Sequence, residues 1–125
     1  MKRTALFLMS LGVLPAFPTL AYGTTVAAGN THTVVIKTSD GTVWCWGANS
    51  YGQLGDSSTT QRKTPVQAGS LSGITAVAAG ANHTLALKSD GKVYAWGYNL
   101  YGQLGDGTSG ASANCCASQL MRRRA

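Results

Sequence analysis

An internal repeat limits the folds that this chain can adopt. The segment VAAGNTHTVVIK at 26–37 returns as VAAGANHTLALK at 77–88, and SDGTVWCWGANSYGQLGD at 39–56 returns as SDGKVYAWGYNLYGQLGD at 89–106. Identical residues occupy 20 of the 30 aligned positions. Self-similarity at a fixed period is typical of proteins that are built from repeated supersecondary units. The chain therefore contains two copies of one structural unit.

Each unit is predicted to form β-strands joined by tight turns. Asp-Gly at 40–41 and again at 90–91 separates two apolar runs, a strong signal for a hairpin with a type I′ turn. The segments 65–68 and 74–77 provide two further strands between the hairpins, and Pro65 predicts an edge position for the first, because proline cannot donate to a ladder. Four short strands per unit, apolar on both faces, are typical of a stacked propeller blade.

The motifs A-A-G-x-x-H-T, S-D-G and W-G-x-N-x-Y-G-Q-L-G-D resemble the repeat of the regulator of chromosome condensation family over residues 24–110. Family members are typically β-propellers that act as interaction surfaces. The founding type promotes nucleotide exchange on a small nuclear GTPase and binds chromatin, and some exported bacterial relatives bind and inhibit β-lactamases. The resemblance implies an all-β fold with two blade-like antiparallel units of an incomplete β-propeller, and a predicted N-terminal signal segment precedes them.

The expected organisation has four segments: a signal peptide at 1–23, a first repeat at 24–76, a second and incomplete repeat at 77–110, and an irregular tail at 111–125. The tail lacks a counterpart of the strand around Pro65. Two blades are fewer than a closed propeller needs. The chain is therefore interpreted as a truncated or fragmentary family member, and self-assembly of several chains to complete a propeller is the alternative.

The first 23 residues have the layout of a cleavable export signal. Lys2 and Arg3 precede an apolar run from 5 to 14, and small residues at Ala21 and Gly23 offer two cleavage positions. The apolar run is shorter than the roughly 20 residues that a helix needs to cross a bilayer. We therefore expect a secreted or periplasmic protein without a stable membrane anchor.

The charge distribution argues against a nucleic-acid-binding protein, and the cysteine spacing argues against a disulfide framework and a zinc site. After residue 23, eight Lys and Arg face four Asp, and three of the positive charges are the terminal run at 122–124. No basic face for nucleic acid is apparent, so no nucleic-acid partner is expected. Three cysteines, namely Cys45 and the adjacent pair at 115–116, have neither disulfide-framework nor zinc spacing.

The sequence offers no catalytic, cofactor-binding or metal-binding set. His32 and His83 are repeat-equivalent, as are Asp56 and Asp106, and the chain has no glutamate. Equivalent polar residues in a repeat protein usually make internal hydrogen bonds, so the histidines are predicted to satisfy backbone groups near the glycine turns and the aspartates to cap turns. Trp46 and Trp96 are likewise equivalent and are predicted to pack in the core. We expect a protein that is not an enzyme and carries no cofactor.

The two long G-Q-L-G-D loops are the candidate partner-binding elements, because loops carry binding and tyrosine suits interfaces. The predicted function is a non-enzymatic protein-binding module outside the cytoplasm. The first alternative is a regulator of an enzyme, either an exported inhibitor or, less favoured by export, a guanine-nucleotide exchange factor for a small GTPase. The second is a remnant without independent function. The candidate contact residues are Tyr51, Gln53, Asp56, Tyr101, Gln103 and Asp106.

Overall fold

The computed structural model describes residues 25–117, and the predicted signal peptide lies outside them. The described residues form eight strands. Among them there is no helix that is long and apolar enough to cross a membrane. The strands are β1 Val26–Ala28, β2 His32–Lys37, β3 Thr42–Gly47, β4 Arg62–Gln67, β5 Ile74–Ala79, β6 His83–Lys88, β7 Val93–Gly97 and β8 Ser112–Ala117.

The strands make two antiparallel four-stranded sheets, in the orders β1-β2-β3-β4 and β5-β6-β7-β8. Each sheet is a simple meander in which every strand pairs with its neighbour in sequence, as in a propeller blade. The predicted all-β fold with two blade-like units is confirmed. Both strands that were predicted between the hairpins are present, and the strand with Pro65 lies at a sheet edge as expected.

The predicted type I′ turns are wrong. That turn needs positive φ at both central residues, whereas Gly41 has a φ of 69° and Asp40 is not among the residues with positive φ. The Asp40 carboxylate instead accepts hydrogen bonds from the backbone N–H and the hydroxyl of Thr42, at 3.0 and 2.7 Å. The aspartate therefore acts through its side chain, and only the glycine takes the left-handed conformation.

The predicted irregular tail is wrong for residues 112–117, which form β8. This strand pairs with β7 and repeats the register irregularity of the first sheet, since Ser112 opposes Gly97 as Arg62 opposes Gly47. The second repeat is thus complete, and its sheet begins at Ile74 instead of residue 77. The sequence SANCCA of β8 gives little strand signal, because Ala and Asn have low β-propensity.

The hydrophobic core lies between the two sheets. Val34, Val43 and Cys45 of the first sheet have no exposed surface, and Ala86 and Trp96 of the second are at most 1% exposed. Burial of each large aliphatic or aromatic side chain contributes about 1.5–3 kcal/mol. The prediction for Trp96 is confirmed, whereas its equivalent Trp46 is only half-buried, because the second sheet covers just one face of the first.

The loop after β3, residues 48–58, crosses from the first sheet to the second, and we call it the crossing loop. Its Ser57 N–H donates to the carbonyl of Ala113 at 3.0 Å, and a Cβ at Gly52 would overlap the backbone of Ala113. The equivalent Gly102 in the second repeat has nothing within 4 Å of its Cβ position. The same turn therefore lies in a tight contact in one repeat and in open space in the other.

The pair Gly52 and Gly102 predicts a difference in stability. Their φ angles are 77° and 73°, so alanine meets similar backbone strain at both positions. Only Gly52→Ala also forces the crossing loop away from Ala113, which should cost about 1–3 kcal/mol more in the free energy of unfolding. Urea titration of both variants measures this difference. Equal losses would show that the loop does not pack closely on the second sheet.

Candidate functional site

Both G-Q-L-G-D loops are organised around a buried asparagine, which the sequence analysis did not identify. Asn49 is 1% exposed, and its amide donates to the carbonyls of Ser58 and Thr60, each at 3.0 Å. Its carbonyl accepts from the Leu54 N–H at 2.9 Å. Asn99 repeats this arrangement with Leu104 and Thr108. The invariance of this asparagine in the two W-G-x-N motifs is the sequence signal for its role.

The structure places the candidate Gln53 in the interior. It is 1% exposed, and its side-chain oxygen accepts from the backbone N–H of Tyr51 at 2.9 Å. Its backbone carbonyl accepts from the Trp96 indole at 2.9 Å and from the Thr84 hydroxyl at 2.8 Å. Gln103 bonds the N–H of Tyr101 in the same way, at 3.0 Å, but remains half-buried. Gln53 therefore joins the two sheets and has no surface to offer a partner.

Asp56 and Asp106 also act within their loops. Asp56 accepts from the N–H and hydroxyl of Ser58 and forms an ion pair with Arg62 at 2.9 Å. Partial burial opposes its ionisation, but hydrogen bonds from Ser58, Arg62 and Asn49 outweigh burial and hold its pKa below the ordinary value. Asp106 bonds Thr108 in the same geometry. Both side chains orient a loop, and the Asp56 side chain is also largely shielded from solvent.

His32 lies in the sheet interface, and neither histidine belongs to a reactive cluster. His32 is 3% exposed, and its Nε2 is 2.9 Å from the Thr84 hydroxyl. Burial, followed by the proximity of His83, lowers the pKa of His32. The partner is thus a side chain of the other sheet and not the backbone group that was predicted. Within residues 25–117 no three histidine, cysteine or acidic side chains are grouped to hold a metal ion.

The two candidate tyrosines converge on a third aromatic ring. The ring centroids of Tyr51 and Tyr98 are 4.7 Å apart with an interplanar angle of 74°, and those of Tyr98 and Tyr101 are 6.1 Å apart at 65°. Such edge-to-face pairs are favourable for aromatic rings. The exposed fraction is 41% for Tyr51, 83% for Tyr101 and 58% for the neighbouring Leu100. We call Tyr51, Tyr98, Leu100 and Tyr101 the tyrosine patch.

The tyrosine patch borders a shallow cavity of about 190 Å³. This is smaller than the cavities that usually hold a drug-sized ligand, and suits one apolar side chain of a partner. Desolvation, together with the neighbouring tyrosines, raises the pKa of Tyr98, so its hydroxyl stays neutral at physiological pH. The cavity is lined by Tyr51, Tyr98, Asn99, Leu100, Ser109 and Ala111.

Tyr98 and Leu100 were absent from the candidate residues, although the sequence contains a signal for them. At the equivalent positions the first repeat has Ala48 and Ser50. The second repeat thus replaces two small residues by large apolar ones, and Leu100 lies exposed. The signal lies in the positions at which the two repeats differ and not in those that they share. A large apolar residue that the shared fold does not require is a candidate for contact with another molecule.

Asp56 and Asp106 predict unequal effects of the same substitution. The lowered pKa of Asp56 means that its ionised form stabilises the fold above its ordinary pKa near 3.8, and this contribution is lost as pH falls through the lowered value. At neutral pH, Asp56→Asn should cost about 2 kcal/mol of unfolding free energy. Asp106→Asn should cost less, because no ion pair involves Asp106 among the described residues.

Denaturant unfolding of both variants at pH 7 and at pH 3 tests these expectations. The stability of the Asp56→Asn variant should fall less on acidification than that of the unmodified chain, because the variant has already lost the ionised group. Two variants with the same stability and the same pH profile would contradict the structural role assigned to the ion pair with Arg62.

The chain matches two models of the regulator of chromosome condensation (RCC1) repeat. One covers residues 40–87 and 90–119, and the other covers residues 24–53 and 74–103. The resemblance that the sequence motifs indicate is thereby confirmed. Because the matches include the end of the second repeat, they agree with the pairing of β8 in the second sheet.

Solved structures with the same fold include human WBSCR16, with 29% identity over 71% of this chain and a TM-score of 0.61. Yeast RCC1 (Prp20), in its complex with Kap60, has 26% identity over 71% of the chain and a TM-score of 0.60. Prp20p from Saccharomyces cerevisiae, described with its binding properties to Gsp1p and histones, has 26% identity over 78% and a TM-score of 0.64. This chain spans 24%, 21% and 24% of those chains.

Proposed function

This chain belongs to the RCC1 repeat family, and on that premise we propose that it is a non-enzymatic module that binds another protein through its tyrosine patch. The observation that carries the proposal is the convergence of Tyr51, Tyr98 and Tyr101 beside the exposed Leu100. Exposed aromatic residues on loops held by a rigid sheet are typical of protein interfaces. Here the buried Asn49 and Asn99 provide the rigidity.

The distribution of exposed apolar residues supports this surface. Among the residues whose burial the structure describes, the exposed large hydrophobic ones are Val26, Tyr51, Leu87, Leu100 and Tyr101, and three of these five lie in the patch. A clustered apolar surface is more informative than scattered exposed residues, because clustering marks interaction sites. Tyrosine and leucine around a cavity of side-chain size would receive one apolar anchor of a partner, the usual centre of a binding hot spot.

The relatives support a protein as the class of partner. Kap60 is bound to yeast RCC1, and Gsp1p and histones are named for the binding properties of Prp20p. Those partners belong to much longer proteins, of which the matched part of this chain covers 21% and 24%. We therefore propose for this chain only that its partner is a protein.

The absence of enzymatic activity is part of the proposal, and it rests on what the ionisable groups do. Asp56 is held by Ser58 and Arg62, and Asp40 is held by Thr42. His32 is buried with a lowered pKa and bonds Thr84. General acid–base and nucleophilic catalysis need such groups beside one another in a cleft. Here each of them is engaged in its own loop or in the sheet interface.

We further propose that the protein acts outside the cytoplasm, as the pattern of residues 1–23 suggests. An inhibitor of an exported enzyme is the specific function that this location favours. Nucleotide exchange on an intracellular GTPase would require that the protein stay in the cytosol. The location and the function therefore have a common test.

Export predicts a shortened chain. Expression in a bacterial host followed by mass spectrometry of the periplasmic fraction should give a protein that begins at residue 22 or 24, after cleavage behind Ala21 or Gly23. Replacement of the apolar run by polar residues is the control, and it should keep the whole chain in the cytosol. A full-length chain in the cytosol would overturn export and restore the exchange-factor alternative.

The binding surface is tested by giving the second repeat the residues of the first. Tyr98→Ala together with Leu100→Ser installs the residues of Ala48 and Ser50, which the same loop tolerates. Cross-linking and capture from the periplasmic fraction should then recover about tenfold less partner than the unmodified chain does. Leu87→Ser, at a residue that is 41% exposed outside the patch, is the matched control. Loss of capture in the control alone would show that the partner binds outside the tyrosine patch.

A further inference from the structure

The interface between the two sheets is directional. The first sheet uses one face of β2, with His32 and Val34, and the second sheet uses the opposite face of its equivalent strand, with Thr84 and Ala86. The first sheet also sends its crossing loop over Trp96. We call the face that presents the histidine and the loop the donor face, and the face that presents the threonine and the tryptophan the receiving face.

The second sheet carries a second donor face, which is exposed. His83, Leu85 and Leu87 are the repeat equivalents of His32, Val34 and Ile36. Leu87 is 41% exposed, whereas Ile36, which faces the second sheet, is 5% exposed. The loop around Gly102 belongs to this face and lies in open space, whereas Gly52 presses against Ala113. This donor face thus has the residue types of the first one, without the sheet that covers it.

The first sheet carries a second receiving face, which is also exposed. Val26 and Trp46 are the repeat equivalents of Val77 and Trp96. Val26 is 56% exposed and Val77 is 4% exposed, while Trp46 is half-buried and Trp96 is fully buried. Thr33, the equivalent of Thr84, lies on the same face. The apolar surface that the second sheet buries in the core is therefore repeated, uncovered, on the first sheet.

The hydrogen-bonding groups are repeated as well. In the internal interface the carbonyl of Gln53 accepts from Trp96, and Thr84 bonds His32. The corresponding groups are the carbonyl of Gln103 and the indole of Trp46, and the imidazole of His83 and the hydroxyl of Thr33. None of these four groups makes a hydrogen bond within residues 25–117. A donor face and a receiving face on different molecules would satisfy all four.

We propose that this chain associates head to tail with a second copy of itself, the donor face of one molecule covering the receiving face of the next. A second copy fits because this one chain carries both halves of the interface, with the residue types of a contact that it already makes internally. The association is heterologous, because the two molecules use different faces. Each added copy therefore leaves one free face of each kind, and further copies add until their relative rotation closes a ring. The tyrosine patch stays accessible, since Tyr51 remains 41% exposed in the internal interface.

Sedimentation of the purified chain at increasing concentration tests the proposal. The unmodified chain should form multimers of discrete mass. Leu87→Asp places a charge on the donor face and Val26→Asp places one on the receiving face, and each should raise the dissociation constant at least about tenfold, leaving monomers. Ser70→Asp, which places the same charge in the exposed turn between β4 and β5, is the matched control outside both faces, and its multimers should resemble those of the unmodified chain.

Mixing the two charged variants distinguishes this arrangement from a symmetric dimer. The Leu87→Asp molecule keeps an intact receiving face, and the Val26→Asp molecule keeps an intact donor face. An equimolar mixture should therefore form one heterodimer and nothing larger. A symmetric dimer through either face could not produce this complementation. An unmodified chain that stays monomeric at all concentrations, or a mixture that stays monomeric, would overturn the proposal.

Folding of the variants is checked independently. Both substituted residues are exposed, so the β-sheet circular dichroism and the fluorescence of buried Trp96 should be unchanged. Gly102→Asn is a second donor-face variant. Asparagine tolerates the φ of 73°, and its side chain would occupy the space that the next copy fills. A folded Gly102→Asn variant that assembles like the unmodified chain would also contradict the proposal.

Discussion

The backbone carbonyl of Gln53 is the point on which the arrangement of the two sheets depends. It accepts hydrogen bonds from the Trp96 indole at 2.9 Å and from the Thr84 hydroxyl at 2.8 Å. Apolar contact between sheets is non-directional, whereas these bonds fix one orientation. A buried polar group without a partner costs about 1–3 kcal/mol. Movement of the crossing loop away from the second sheet would break the hydrogen bonds of three such groups, namely the Gln53 carbonyl, the Thr84 hydroxyl and the Trp96 indole.

The protonation of His32 follows from the same bonds. Thr84 has one hydroxyl proton, which it donates to the Gln53 carbonyl, so its oxygen must accept from His32. His32 therefore carries a proton on Nε2. Its buried Nδ1 has no hydrogen-bond partner among the described residues. A second proton would place a charge in this interface, which agrees with the lowered pKa of His32.

The sequence predicted the strands and their grouping well, because those depend on local patterns that both repeats share. It failed at β8, where Ser112 and Ala113 give no apolar alternation and pairing with β7 decides the structure. It also placed Gln53 and Asp56 at a binding surface, since loop residues are usually exposed. The second sheet buries Gln53 and much of Asp56, and a local sequence pattern does not show that another repeat will pack over a loop. Equivalent residues thus have the same conformation but different surroundings.

Differences between the repeats then carry the functional information. In the internal interface, Tyr51 of the crossing loop meets Tyr98. In a head-to-tail contact between copies, Tyr101 would meet the equivalent of Tyr98 in the next molecule, which is Ala48. Alanine cannot form an aromatic pair, and Ser50 replaces Leu100 beside it. A complete tyrosine patch would therefore occur once in each chain, at internal junctions only. An assembly of identical chains would in this way present one binding surface per molecule rather than one per blade.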